Sequence, residues 1–268
     1  MKLALTIAGS DSGGGAGIQA DLKTFSAHGV FGMSVITSIT AQNTVGVLGI
    51  EDVSPDMVAL QMKAVFEDLY PDAVKIGMVS SGAIIEAVAG SLERYRPGNV
   101  VLDPVMISKS KSPLLKPEAV DALKKKLLPL STVVTPNLME AEELSGIEIK
   151  DKKGMKEAAR RILAMGAGAV IVKGGHLTGD AADVMYDGKD FFEFSSGRIH
   201  TKNTHGTGCT FSSAIAANLA LGCSLAEAVE RAKRYITGAI QNALDIGSGV
   251  GPTNHFWNLK PGGGGCEH

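Results

Sequence analysis

Residues 201–217 pass from a strand end through Gly206 and Gly208 into a helix of small side chains. Such a passage gathers unpaired backbone N–H groups. The two glycines let the chain between Thr204 and Thr207 turn and approach a ligand closely, and the helix start adds positive dipole potential; together they favour an anion such as a phosphoryl group. A glycine-rich helix entry with no ligand is the alternative. Cys209 falls at the first helical turn, where the dipole is expected to lower its thiol pKa and let it serve as base or nucleophile. His205 is a secondary candidate, and Cys223, in an Ala/Leu-rich context, reads as a small buried apolar residue.

Other chemistry-bearing types recur at the ends of apolar runs. Lys173, heading the stretch Lys173 to His176, brings an ammonium to a strand's carboxyl end, where it suits a nucleotide phosphate; a solvated loop lysine is the bland reading. Asn137 and Glu140 are on offer to magnesium-bound water or to phosphate, and at this spacing they also match a helix capping box. The glycine cluster from Gly9 through Ala16 to Asp21 meets neither the Walker pattern nor the dinucleotide fingerprint, which Ile18 breaks. It reads as a close-fitting wall for a flat ligand, with Asp21 within reach of the ligand's hydroxyl or acting as a first-turn carboxylate. Gln42 carries an amide that both donates and accepts, which suits a heterocycle with a ring nitrogen beside an exocyclic amine. Met78 and Val105 end neighbouring strands and offer apolar contacts to such a ring, or simply pack the core.

These residues need a frame that brings strand ends together. Strands are expected over 3–7, 34–41, 73–79, 100–102, 132–135 and 169–172, and helices over 19–27, 55–69, 82–95, 117–128, 138–144 and 153–165. Short antiparallel strands over 183–186, 191–194 and 198–201 precede helices over 209–221 and 225–244. The alternation predicts an α/β fold, a three-layer α/β/α sandwich with a mostly parallel sheet and an antiparallel edge, in one domain over 1–260 followed by a loose glycine-rich tail at 261–268. In such sheets ligands bind beyond the carboxyl ends of the strands.

Composition narrows the function classes. The 268 residues carry 26 Lys+Arg against 28 Asp+Glu, so no basic face for nucleic acid is indicated. Apolar runs such as 214–221 are too short to span a bilayer, and the apolar start at 3–8 is too short for a signal peptide. Three widely spaced cysteines suggest neither a disulfide framework nor structural zinc, and a cytoplasmic setting fits.

Taken together, Ala8 to Asp11, Gly14 to Phe25, Thr40 to Thr44, Lys75 to Met78, Leu102 to Val105, Thr135 to Leu138, Val172 to His176 and Thr201 to Thr210 closely resemble the hydroxymethylpyrimidine/phosphomethylpyrimidine kinases of thiamine synthesis. The resemblance spans nearly the whole chain up to Trp257. It implies a ribokinase-like fold and ATP- and Mg²⁺-dependent phosphorylation of 4-amino-5-hydroxymethyl-2-methylpyrimidine, then of its monophosphate. Gln42 would hold the aminopyrimidine, with Met78 and Val105 along the ring and Gly9, Ala16 and Asp21 beside it. Lys173, Asn137 and Thr204 would serve ATP, Gly206 to Cys209 the anion hole, and Glu140 the metal through water. Sugar kinases of that superfamily usually place aspartate where this chain has Cys209. A homodimer is also expected. Pyridoxal kinase of the same branch, a non-catalytic nucleotide or precursor sensor, and a cysteine hydrolase using Cys209 with His205 are the competing readings.

Overall fold

The computed structural model describes residues 1–107, 114–175 and 181–259. Its strands are β1 (Leu3–Asp11), β2 (Phe31–Gln42), β3 (Val47–Asp52), β4 (Ala73–Ile76), β5 (Val100–Leu102), β6 (Val133–Val134), β7 (Val170–Lys173), β8 (Ala181–Tyr186) and β9 (Phe191–Ser196). They form one sheet in the order β3-β2-β1-β4-β5-β6-β7-β8-β9. The strands from β2 to β7 pair in parallel, whereas β3, β8 and β9 are antiparallel additions. The chain leaves β1 toward β2 on one side and returns to β4 on the other, so a crevice opens beyond the carboxyl end of β1.

Strand alternation serves two cores. Leu5, Ile7, Val74, Ile76, Leu102, Val134 and Val172 face one side, packed under α2 (Pro55–Asp68), α3 (Gly82–Tyr95), α5 (Leu138–Ser145) and α6 (Lys152–Leu163). Ala4, Val101, Val133 and Ile171 face the other, under α1 (Gly17–Ala27), α7 (Thr207–Ala220) and α8 (Leu225–Gln241). Helices therefore cover both faces, and the expected three-layer sandwich is present. Ala214, Ala216 and Ala217 are fully buried, and their small size lets α7 lie close on the sheet. Among the described residues no helix is long and apolar enough to cross a membrane.

Several boundaries differ from expectation. β1 runs on to Asp11 through a bulge between Ala8 and Ser10, a common device for re-aiming a strand end beside a site. β3 was not foreseen: it is an edge strand with largely exposed side chains, so burial imposes no alternation on it. Residues 198–201 form no strand; they carry the chain from β9 to α7, with Arg198 tied to the Gly175 carbonyl at 2.9 Å. The helix expected over 117–128 is broken into a 3-10 turn at Pro117–Ala119, a single turn α4 (Val120–Ala122), a π turn at Leu123–Leu127 and a further 3-10 turn at Leu128–Leu130. Pro129, which has no N–H to donate, lies in the last of these. Strand β4 stops at Ile76, and α8 stops at Gln241. His176, Cys266 and the tail at 261–268 lie outside the described residues.

Candidate active site

The first glycine loop is organised by a residue the sequence reading passed over. The Asp11 carboxylate accepts the N–H groups of Gly13 at 2.8 Å, Gly15 at 3.1 Å and Ala16 at 2.8 Å, and His205 Nε2 lies 2.9 Å away. Burial alone would push this carboxyl up, but the hydrogen bonds from His205, Ala16 and Gly13 hold it below the usual carboxylate range. Two glycines here are required by packing. A Cβ on Gly15 would strike the His205 ring, and one on Gly206, whose φ is +76°, would strike the Gly15 carbonyl. Part of the glycine density thus joins the first loop to the second.

The second loop leads into α7 with Gly206 as N-cap, so Cys209 does sit in the first turn. The thiol's expected shift is reversed. Burial pushes it up to about 11; Lys75 pulls the other way, and the charges of Asp21 and Asp103 add to the rise. A place in the first turn does not offset the burial of the thiol.

Beyond β5 and β7, Asp103 meets Lys173 at 2.9 Å, Thr135 Oγ1 at 3.2 Å and Ser212 Oγ at 3.3 Å. The Cα of Gly208 lies against both charged groups: a Cβ there would be 3.5 Å from Asp103 Oδ2 and 3.6 Å from Lys173 Nζ. Burial opposes the charge on Asp103, yet Lys173 and Lys75 hold it low; burial likewise opposes the charge on Lys173, yet Asp103 and Glu140 hold it high. An ammonium, a carboxylate and the first turn of α7 thus meet at one point. Asn137 and Glu140 do form the reciprocal capping box of α5, with both bonds present. Glu140 is nevertheless buried beside this cluster and pushed up to about 7, by burial first and then by Asp103, against the pull of Lys173.

Asp21 corrects an expectation. Its side chain is fully buried, bonded to Thr6 Oγ1 at 2.6 Å, Ser213 Oγ at 2.7 Å and Lys75 Nζ at 2.8 Å, and so offers nothing to a ligand. It lies in the second turn of α1 and points into the sheet. His205 is also committed elsewhere, to Asp11 and to one end of the Gln42 amide at 3.3 Å, so the Cys209–His205 dyad of a hydrolase is not built. Gln42 is partly exposed and its other amide end lies 3.2 Å from Thr40 Oγ1. Met78 is close to Gly9, where a Cβ would be 3.0 Å from its sulfur, and Val105 is partly buried after β5. Thr204 accepts the Thr207 hydroxyl through its carbonyl at 2.7 Å.

Lys233 pairs with Asp183 at 2.8 Å, and the other Asp183 oxygen accepts the Gly174 N–H at 3.1 Å, next to Lys173. Lys233 also lines a groove of about 220 Å³ with Ser195, Ser196, Thr237 and Trp257. Asp11, Asp103 and Asp183 were missed as site residues; Asp11 ends β1 and Asp103 follows β5, which was the available signal, whereas Asp183 lies within β8. A larger groove of about 440 Å³ between α2 and α3 holds none of these groups.

The architecture and the site define a ribokinase-like small-molecule kinase. In structure the chain is similar to the ADP complex of Bacillus subtilis pyridoxal kinase, at 44% identity and a TM-score of 0.89, covering 96% of this chain and 98% of that one. In sequence it is 57% identical to the hydroxymethylpyrimidine/phosphomethylpyrimidine kinase of Rhizobium meliloti, over 95% of this chain and 97% of that one. It is 56% identical, over 94% of its own length, to the thiamine biosynthesis bifunctional protein of Geobacter sulfurreducens, of which it spans 52%. The family model described as phosphomethylpyrimidine kinase matches residues 11–254. The chain belongs to the phosphomethylpyrimidine kinase family.

Proposed function

We propose that this chain is an ATP-dependent kinase that phosphorylates the hydroxymethyl group of 4-amino-5-hydroxymethyl-2-methylpyrimidine and then converts the monophosphate to the diphosphate. The observation that carries this reading is the meeting of Lys173, Asp103 and the first turn of α7 at Gly208 and Cys209, one loop away from Gln42. Phosphoryl transfer asks little covalent work of a protein; it asks that charge be neutralised and the attacking oxygen aligned. Lys173 and the N–H groups of Gly206 to Cys209 supply the first, with Thr204 and Asn137 at the rim of the phosphates. The groove beside Lys233 offers room for the nucleoside end of ATP. Gln42, Met78, Val105, Gly9 and the backbone at Ala16 frame the pyrimidine.

In the transfer the alcohol oxygen bonds to the γ-phosphorus as the bond to the ADP oxygen breaks, and the alcohol proton must leave. Cys209 lies in the first turn of α7, but a thiol raised to about 11 is mostly protonated at neutral pH, so the proton passes to an oxygen of the transferred phosphoryl group. A loose transition state, in which the nucleophile needs little activation, tolerates this. Cys209 then mainly aligns the alcohol. Mg²⁺ would travel with the phosphates and neutralise their charge. Among the described residues no three His, Cys, Asp or Glu form a self-sufficient metal site, and magnesium ordinarily keeps waters and takes one or two carboxylates. Glu140 fits that demand, since a carboxyl raised by burial and by Asp103 gains from a nearby cation; it would hold the ion through water.

The pyridoxal kinase likeness favours a second reading, phosphorylation of pyridoxal on the same scaffold. Assays of ATP with each alcohol, following mono- and diphosphate products, test both: a higher kcat/KM for the aminopyrimidine is expected, and preference for pyridoxal would overturn the first choice. The cytoplasm and a homodimer complete the proposal.

A further inference from the structure

The hydrogen-bond partners of Gln42 determine which way its amide points. Asp11 is held as a carboxylate by three backbone N–H groups and can only accept, so His205 Nε2, 2.9 Å away, must carry its hydrogen toward it. The end of the Gln42 amide lying 3.3 Å from the same ring nitrogen therefore faces a donor. With the amide nitrogen there, two donors would oppose each other; a half-turn of the amide brings its oxygen to His205 and removes the conflict. The other end agrees. Thr40 donates its one hydroxyl hydrogen to the Ser10 carbonyl at 2.9 Å, so its oxygen, 3.2 Å from the Gln42 amide, is free to accept an amide N–H.

One amide lone pair and one N–H remain, with the acceptor on the His205 side and the donor on the Thr40 side. Gln42 is partly exposed, so both can meet a ligand. A 4-aminopyrimidine presents the matching edge, an exocyclic N–H beside a ring nitrogen that accepts. The 4-oxo counterpart presents a carbonyl beside a ring N–H and requires the reverse; turning Gln42 to suit it would restore the clash of donors at His205.

We propose that Asp11 and His205 are positioning residues that lock the polarity of the Gln42 amide and thereby select an amino ring over its 4-oxo isostere. This deepens the proposed function and rests on its premise that Gln42 faces the heterocycle. A locked donor–acceptor pair discriminates strongly because the wrong ring leaves polar groups unpaired.

The test compares kcat/KM for the 4-amino alcohol and its 4-oxo analogue in the wild type, His205→Phe and Gln42→Ala, together with nitrogen-15 NMR of the His205 ring in the wild type. Phenylalanine keeps a ring against Gly15 and removes the donor. The expected results are a protonated Nε2 in the NMR spectrum and, in His205→Phe, an amino-over-oxo ratio reduced by roughly tenfold or more, equivalent to ~1.4 kcal/mol. The loss should fall on KM for the amino ring more than on kcat, with KM for ATP unmoved. An unprotonated Nε2, or an unchanged ratio in a folded His205→Phe protein, overturns the lock while leaving Gln42 at the ring. An unchanged pyrimidine KM in Gln42→Ala overturns the premise itself, and the lock with it.

Discussion

At the scale of single residues, Cys209 shows how far environment outweighs position. Its place in the first turn of α7 argues for a reactive thiolate, yet burial and two neighbouring carboxylates push the thiol up to about 11. Alkylation by iodoacetamide should therefore be slow at neutral pH and quicken as pH approaches 11; a fast reaction at pH 7 would refute the shift. Cys209→Ala should lower kcat by up to ~10²-fold through loss of alignment of the alcohol, with little change in KM, as steady-state kinetics would report. Undiminished turnover would confine the thiol to a structural role.

At the scale of elements, α1, β1, β4 and α7 are joined by Asp21, Thr6, Lys75 and Ser213, all buried. A buried pair contributes little relative to a well-packed apolar one, but removing one partner strands the other charge. Lys75→Met should thus lower the unfolding free energy by roughly 3–5 kcal/mol, measured by urea denaturation, and Asp21→Asn added to it should recover part of the loss. A single-variant loss below ~1 kcal/mol, the scale of an exposed pair, would count against the pairing. The link matters for chemistry too, because it sets the depth of α7, and with it the loop from Gly206 to Cys209.

For the molecule as a whole, two properties follow from the assembled fold. His255 lies under α7, with Nε2 3.1 Å from Thr210 Oγ1, and burial, aided by the charges of Lys23 and His205, pulls it from 6.5 to about 4. The folded state binds this proton less readily than the unfolded chain, so the stability is fully present above pH 6.5 and is lost as pH falls toward 4. The loss should reach about 3 kcal/mol at ~1.4 kcal/mol per unit, and His255→Gln should flatten the unfolding profile across that window. A wild-type profile already flat between pH 6.5 and 4 would contradict it. The second property is association. Leu48 at 83% exposure and Ile50 at 40% lie on β3 at the uncovered sheet edge, the place expected to meet a second copy. Sedimentation should give a dimer that Leu48→Lys weakens; a monomer at micromolar concentration would remove the idea.

Much of this was legible in the chain itself. Continuous apolar runs such as 100–102 and 169–172 fix a parallel sheet because strands buried on both faces tolerate nothing else, and Asn137 with Glu140 encodes its cap locally. Gly206 before a small-residue helix likewise marks the tight entry into α7 without reference to anything distant. Tertiary structure alone decided which charges meet. Asp21 reads as a ligand contact until Lys75, 54 residues away, claims it, and Asp11 shows only a strand-end position until His205, 194 residues away, arrives. β3 stayed hidden because an exposed edge strand has no burial to write a pattern into its side chains. Local propensity and hydrophobic period act between near neighbours, whereas desolvation and pairing of charge depend on what the fold places alongside, and those forces set the protonation and orientation of the site.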